Sequence, residues 1–177
     1  MRIRYRLNQF WKALFISPTQ AQLAQARLAL SPILWELFLK MQPGEQAHSL
    51  EIFERLLAQG ESDPDLLSAA LLHDAGKIRY PLRIWERALV VIVKALFPGK
   101  LSQWGTAQPV GWKRAFVVAE NHAAWGAEMA AAAGAAPATI EIIRRHQDKL
   151  PAPAFPERLF SPGENLLYRL QILDDES

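Results

Sequence analysis

Apolar residues recur three and four positions apart over nearly the whole chain, and nowhere does a sustained alternation rich in Val, Ile and Thr appear. That periodicity restricts the fold to an all-α architecture. Starts are marked by Ser31-Pro32, Pro43-Gly44-Glu45 and Asp63-Pro64, where a cap or turn precedes a residue suited to the first helical turn. Stops are marked by Gly60, Gly76, Pro98-Gly99 and Gly134. The spacing predicts helices over 2–16, 19–30, 32–41, 45–59, 64–74, 82–97, 112–120, 122–133, 138–148 and 164–175. Two connections remain irregular: 98–111, long enough to act as a lid, and the proline-rich return 150–163, which leads into a last helix. At 177 residues, half of them hydrophobic, the chain can bury a core without crosslinks.

Charge and cysteine content exclude several functions. Twenty Lys plus Arg against eighteen Asp plus Glu leave a net charge of +2, which argues against a polynucleotide partner. Without cysteine there is no disulfide, no thiolate metal site and no thiol nucleophile, so a metal would have to be held by His, Asp or Glu. A cytoplasmic location fits this composition. The apolar run Ala88 to Val93 is closed by Lys94, far short of a membrane span, and no stable membrane insertion is expected. Arg2, Arg4 and Arg6 precede a segment broken by Asn8, Gln9 and Lys12, which reads as retained sequence and not as a signal peptide.

The four histidines, His48, His73, His122 and His146, fall on or beside different predicted helices. His146 shares the face of Ile142 and Ile143, and His48 lies one turn before Ile52 and two before Leu56, so both rings point inward. A lone inward His is ordinarily a hydrogen-bonded core residue. Four in one small core are harder to satisfy, because each brings polar nitrogens that need partners, and a metal supplies one. In the last helix Asp174 follows Leu166, Leu167 and Leu170 on the apolar face, while Asp175 follows Tyr168 and Gln171. Asp174 is the better buried carboxylate, with Asp175 the alternative.

His48, His73-Asp74, His122, His146 and Asp174, in this order, resemble the HD-domain superfamily of metal-dependent phosphohydrolases. His73-Asp74-Ala75-Gly76-Lys77 is similar to its His-Asp-Ile-Gly-Lys form, and His122-Ala123-Ala124-Trp125-Gly126-Ala127-Glu128 to its His-Pro-x-x-Gly-Ala-Glu segment. The resemblance runs from about Gln46 to Asp175; Ala75, Ala123 and Gln147 depart from the common pattern. It implies an HD-domain-like helical bundle over residues 43–177, with residues 1–42 as a helical extension packed on it. It further implies that His48, His73, Asp74 and Asp174 hold one metal and that Asp74 bridges to a second held by His122 and His146. Imidazoles and carboxylates suit two divalent transition-metal ions, from Fe, Mn, Co, Ni or Zn, better than Mg or Ca. The activity so implied is hydrolysis of a small phosphorylated substrate, a nucleotide first among them, by a metal-bridging hydroxide.

Asp74 and Lys77 are then the catalytic residues, Lys77 offering a point charge to a substrate phosphate, or else being a solvated lysine at a helix end. Arg144 and Arg145 are further phosphate-binding candidates. Over 82–97, Arg83, Arg87 and Lys94 make a basic stripe opposite Trp85, Leu89, Ile92 and Leu96, the pattern of a core helix with a solvated back. The first segment carries Arg2, Arg4, Arg6 and Lys12 beside Ile3, Leu7, Phe10, Trp11 and Leu14, which suits docking on its own domain or a homodimer contact. Two other functions use the same ligand set, a di-iron oxygenase and a non-catalytic nucleotide- or metal-sensing module.

Overall fold

A computed structural model describes residues 17–148 and 162–176. The helix expected over 2–16 and the return over 150–161 lie outside the described residues. Among those described, nine α-helices occur in order and no strand occurs: α1 Gln20–Ala29, α2 Pro32–Leu39, α3 Pro43–Ala58, α4 Pro64–Leu72, α5 Ile84–Leu96, α6 Pro98–Gly105, α7 Arg114–Ala132, α8 Pro137–Arg145 and α9 Pro162–Glu176. The all-α expectation holds. Short 3₁₀ turns over Ala75–Arg79 and Gly111–Lys113 precede α5 and α7.

The polar caps do what their residue types allow. Asp63 accepts from the backbone N–H groups of Asp65 and Leu66 at 2.9 Å each, and Pro64 fills the first helical position, where no donor is needed. Ser31 and Pro32 start α2 in the same way, and Thr19 with Gln22 forms a reciprocal capping box at α1.

Helix α4 is the axis of the fold. Leu66 through Leu72 are all buried, and Ser68, the one polar residue among them, bonds Ala29 O, so the helix is surrounded. Leu50, Ile52, Phe53 and Leu56 of α3, Ile142 and Ile143 of α8, and Leu167, Leu170 and Leu173 of α9 share its core. Ala26, Leu34, Leu37 and Phe38 of α1 and α2 belong to the same cluster. A helix buried this way carries the chain beyond its last residue into the interior, and the pair delivered there is His73-Asp74.

Four expectations are corrected. The helices predicted over 112–120 and 122–133 are one helix, because the Asn121-His122 pair is polar without being a breaker; the Asn121 amide donates to Val117 O at 2.8 Å within the helix. The segment 98–111 is not an irregular lid: Pro98 starts α6, whose Trp104 packs on Trp112 and Phe116 at centroid distances of 5.0 Å each. Helix α4 ends at Leu72, and the chain turns through Ala75–Arg79 against α7. Finally, the stripe Trp85–Ile92–Leu96 does not face the core. Helix α5 turns Glu86 and Val93 inward, and Glu86 is fixed there by Arg114 at 2.7 and 2.8 Å.

Candidate metal centre

Two of the four histidines sit where helices end. His73 caps the C-terminus of α4 and His146 that of α8. Both helices therefore aim their carbonyl ends, and the negative ends of their dipoles, at the same place, which favours a cation there. His122 comes from the middle of α7 and His48 from α3.

A common device orients three of the rings. His73 Nδ1 lies 2.9 Å from Ala70 O, His146 Nδ1 lies 2.8 Å from Ile143 O, and His122 Nδ1 lies 3.1 and 3.0 Å from Val118 O and Ala119 O. A carbonyl only accepts, so each Nδ1 is the protonated nitrogen and each Nε2 is turned into the centre. This arrangement prepares an imidazole to ligate a metal, the backbone setting tautomer and ring plane. The Gln171 amide from α9 adds support, donating to His146 O at 3.0 Å and Asp148 O at 2.8 Å.

The Nε2 atoms converge on Asp74. Its Oδ1 is 3.2 Å from His122 Nε2 and its Oδ2 is 3.7 Å from His73 Nε2. His122 Nε2 and His146 Nε2 face each other at 3.2 Å. On the other side, Asp174 Oδ1 is 2.8 Å from His48 Nε2 and 3.6 Å from His73 Nε2. Two groups result, His48–His73–Asp74 and Asp74–His122–His146, the ligand atoms in each lying within 4.8 Å of one another. Asp74 belongs to both. His73, Asp74, His122 and His146 are buried, His48 and Asp174 partly so, and Asp175 is exposed.

These residues fit a divalent metal. His73 Nε2 is buried without a hydrogen-bond partner, which is costly unless a cation takes its lone pair. Likewise, His122 and His146 oppose two Nε2 atoms whose Nδ1 atoms already carry the protons, an arrangement that needs something positive between or beside them.

The electrostatics agree. Burial opposes ionisation of Asp74, but Lys77, His73 and His122 outweigh it and hold the carboxyl well below its usual range. Burial likewise opposes ionisation of Asp174, and the hydrogen bond to His48 together with the nearby ring of His73 holds it well below as well. Burial beside His73 and His122 pushes His146 down to about 3, so it is the neutral imidazole a metal requires. For His73 burial works against the proton, yet Asp74 and Asp174 raise the ring to about 9. A metal must therefore displace a proton from His73. Affinity for Mn²⁺ is expected to rise with pH, about tenfold per unit through this proton alone, until the ring's own pKa is passed. Metal titration at several pH values checks this; an affinity that does not change below neutrality would mean that His73 is already deprotonated.

Lys77 Nζ lies 2.6 Å from Asp74 Oδ2 and 3.4 Å from Glu45 Oε2. Glu45 is buried and also meets Arg87 at 2.8 Å, so a chain of alternating charge runs Asp74–Lys77–Glu45–Arg87 out to α5. The basic stripe of that helix thus touches the site's surroundings through Arg87. In the sequence Glu45 marks only a helix start; a carboxylate three residues before His48 on the same helix is the signal that it also faces the site. Arg144 is exposed, and Arg145 is held by Asp148 at 2.9 Å and Glu141 at 3.7 Å, so neither is brought onto the six clustered residues. Gly76 and Gly126 are likewise site residues that sequence reasoning misses. Built on Gly76, a Cβ would lie 1.9 Å from His122 O and 2.6 Å from Gly126 N, so the Ala75–Arg79 turn meets α7 backbone to backbone only because Gly stands there.

The family model for the HD domain matches residues 46–175, a span that opens two residues before His48 and closes one after Asp174. No curated protein and no solved structure matches the chain.

Proposed function

Because the chain belongs to the HD domain family, we propose that it is a metal-dependent phosphohydrolase acting on a small phosphorylated substrate, with nucleotides the first class to test. The family is one of metal-dependent hydrolases, and the His/Asp clusters can hold metal. The observation that carries the finer reading is Asp74, one buried carboxylate shared by two ligand groups, with an ammonium 2.6 Å away. In this reading His48, His73, Asp74 and Asp174 hold one divalent transition metal, and Asp74, His122 and His146 hold another. Residues 43–177 form the metal-binding unit and residues 1–42 an extension on it.

Such ions, when bound, polarise a phosphoryl oxygen and make hydroxide available at neutral pH. The protein's own residues do the rest. The backbone carbonyls that fix Nδ1 of His73, His122 and His146 keep these three ligand nitrogens aimed into the centre before loading. Lys77, partly exposed, keeps its proton: burial opposes the charge, but Asp74 and Glu45 raise its pKa further above the ordinary lysine range. It is then a permanent cation beside Asp74, placed to meet a phosphate. Glu45 and Arg87 fix the position of that ammonium.

The test is release of inorganic phosphate from a panel of nucleotides and phosphate esters by protein reconstituted with Mn²⁺ or Fe²⁺. Turnover on at least one is expected. Fully loaded protein that releases none, or that consumes O₂ instead, would overturn the reading. Lys77 provides a second check. Lys77→Met should retain metal, since an ammonium is no ligand, yet lose roughly ten- to a hundredfold in kcat/KM, the equivalent of a charge-assisted contact of about 1.5–3 kcal/mol. Lys77→Arg should recover part of it. Wild-type kinetics in Lys77→Met would leave Lys77 only as the counter-ion of Asp74.

A further inference from the structure

The four histidines differ in what holds their backbone. His48 and His122 lie inside helices of 16 and 19 residues, and His73 runs into the Ala75–Arg79 turn, which meets α7 backbone to backbone at Gly76. His146 instead caps the end of α8 and is followed, among the described residues, by Gln147 and Asp148 before α9. Its ring is aimed by Ile143 O at 2.8 Å, a bond within its own last turn. The last carbonyls of a helix have no partner inside it, and a helix end frays unless something outside takes them.

Gln171 of α9 takes them. Its amide nitrogen lies 2.8 Å from Asp148 O, 3.0 Å from His146 O and 3.2 Å from Arg145 O. Arg145 O also accepts from the Asp148 N–H at 2.8 Å, which closes the turn over the end of α8. The three oxygens can only accept and an amide has two hydrogens, so both are used and one is shared. Three residues on, one turn along α9, Asp174 reaches His48 Nε2 at 2.8 Å. Helix α9 is itself seated by Leu167, Leu170 and Leu173 in the core and by an ion pair of Arg169 with Glu61 on the loop after α3. One helix therefore carries a ligand of the first group and a clasp on a ligand of the second.

We infer that Gln171 is a positioning residue for the second metal: it fixes the end of α8 so that His146 Nε2 stays opposite His122 Nε2, 3.2 Å away. This rests on the two-metal reading of the centre. Gln171 is not itself a ligand, because its donors are turned to the backbone of residues 145–148. A partner that holds a ligand from behind sets its direction, and losing it lowers metal affinity. Arg169 seats the same helix through Glu61, so the two residues separate a role at His146 from a role in holding α9.

The test is titration of the full chain, stripped of metal, with Mn²⁺. Wild type is expected to bind two ions. Gln171→Met keeps the length and loses the donors; it should weaken one ion about ten- to a hundredfold and leave the other within about twofold. His146→Ala should weaken the same ion, and adding Gln171→Met to it should cost little more, because no ring is left to aim. Arg169→Met is the control for helix seating: it should lower the melting temperature and leave the ratio of the two affinities as in wild type. If Gln171→Met does not fold, Gln171→Asn repeats the test with an amide one methylene shorter. Wild-type protein that binds fewer than two ions would overturn the two-metal reading and this inference with it. Two ions held by Gln171→Met with wild-type affinities, equal weakening of both, a fully additive loss in the double variant, or the same change of ratio in Arg169→Met would overturn the role of Gln171 and leave the two-metal reading standing.

Discussion

Asp74→Ala is expected to abolish phosphate release and to lower the occupancy of both metals, whereas His146→Ala should weaken mainly one. Among the described residues Asp74 is the carboxylate common to the two ligand groups, with one oxygen 3.2 Å from His122 Nε2 and the other 3.7 Å from His73 Nε2. Removing it takes a ligand from each group and leaves the partly exposed Lys77 and the buried His73 as like charges with less to balance them, so the second loss compounds the first. The fall in turnover should be at least about a thousandfold, equivalent to ~4 kcal/mol of transition-state stabilisation. Asp74→Asn separates charge from volume, because the amide keeps the size and loses the anion; it should keep the fold at a lower stability than wild type, since Lys77 and His73 lose their counter-charge, and remain inactive. Metal analysis of each variant after reconstitution checks the assignment. Equal retention of both metals in Asp74→Ala would show that the carboxylate is not shared.

Much of this centre is legible in the sequence because its ligands sit on helices whose phase the apolar residues fix. Ile142 and Ile143 place His146 inward, and Leu166, Leu167 and Leu170 favour Asp174 over Asp175; the structure puts Asp174 2.8 Å from His48 and leaves Asp175 exposed. The hidden part depends on tertiary partners. Helix α5 carries apolar residues both at Trp85, Ile92 and Leu96 and at Val90 and Val93, so periodicity cannot tell which set faces inward, and Arg114, 28 residues away, decides the matter by holding Glu86 inward. Similarly, Asn121 resembles a gap between helices if polarity is equated with interruption. Its amide instead donates to Val117 O and to Gly105 O, tying α7 to the end of α6. Gly76 has the sequence pattern of a helix stop, although its reason for being Gly lies on another helix.

Gly76→Ala is the substitution with the largest expected effect among those that replace no ligand. No positive φ requires glycine at this position. The constraint is space: the new Cβ would lie 1.9 Å from His122 O, 2.6 Å from Gly126 N and 2.8 Å from His122 C, all backbone atoms of one helix. A flexible side chain can swing away from such a contact, but helix α7 cannot. To restore an ordinary separation the turn and the helix must part by roughly 1.5 Å, which breaks close packing along their whole contact. His122 belongs to the segment that is pushed, and its Nε2 lies 3.2 Å from Asp74, two residues before Gly76. Stability is expected to fall by about 3 kcal/mol, near the upper end for overpacking, or roughly 6–12 °C in Tm for a chain of this size. The metal held with His122 should be lost before the other. Gly134→Ala is the matching control: its φ of +81° strains an alanine, but nothing lies within 4 Å of the new Cβ. It should cost about 1 kcal/mol and keep both metals. Thermal melts and metal analysis of the two variants decide the case. A Gly76→Ala protein that melts with wild type and holds both metals would mean that the turn and α7 are not packed backbone to backbone.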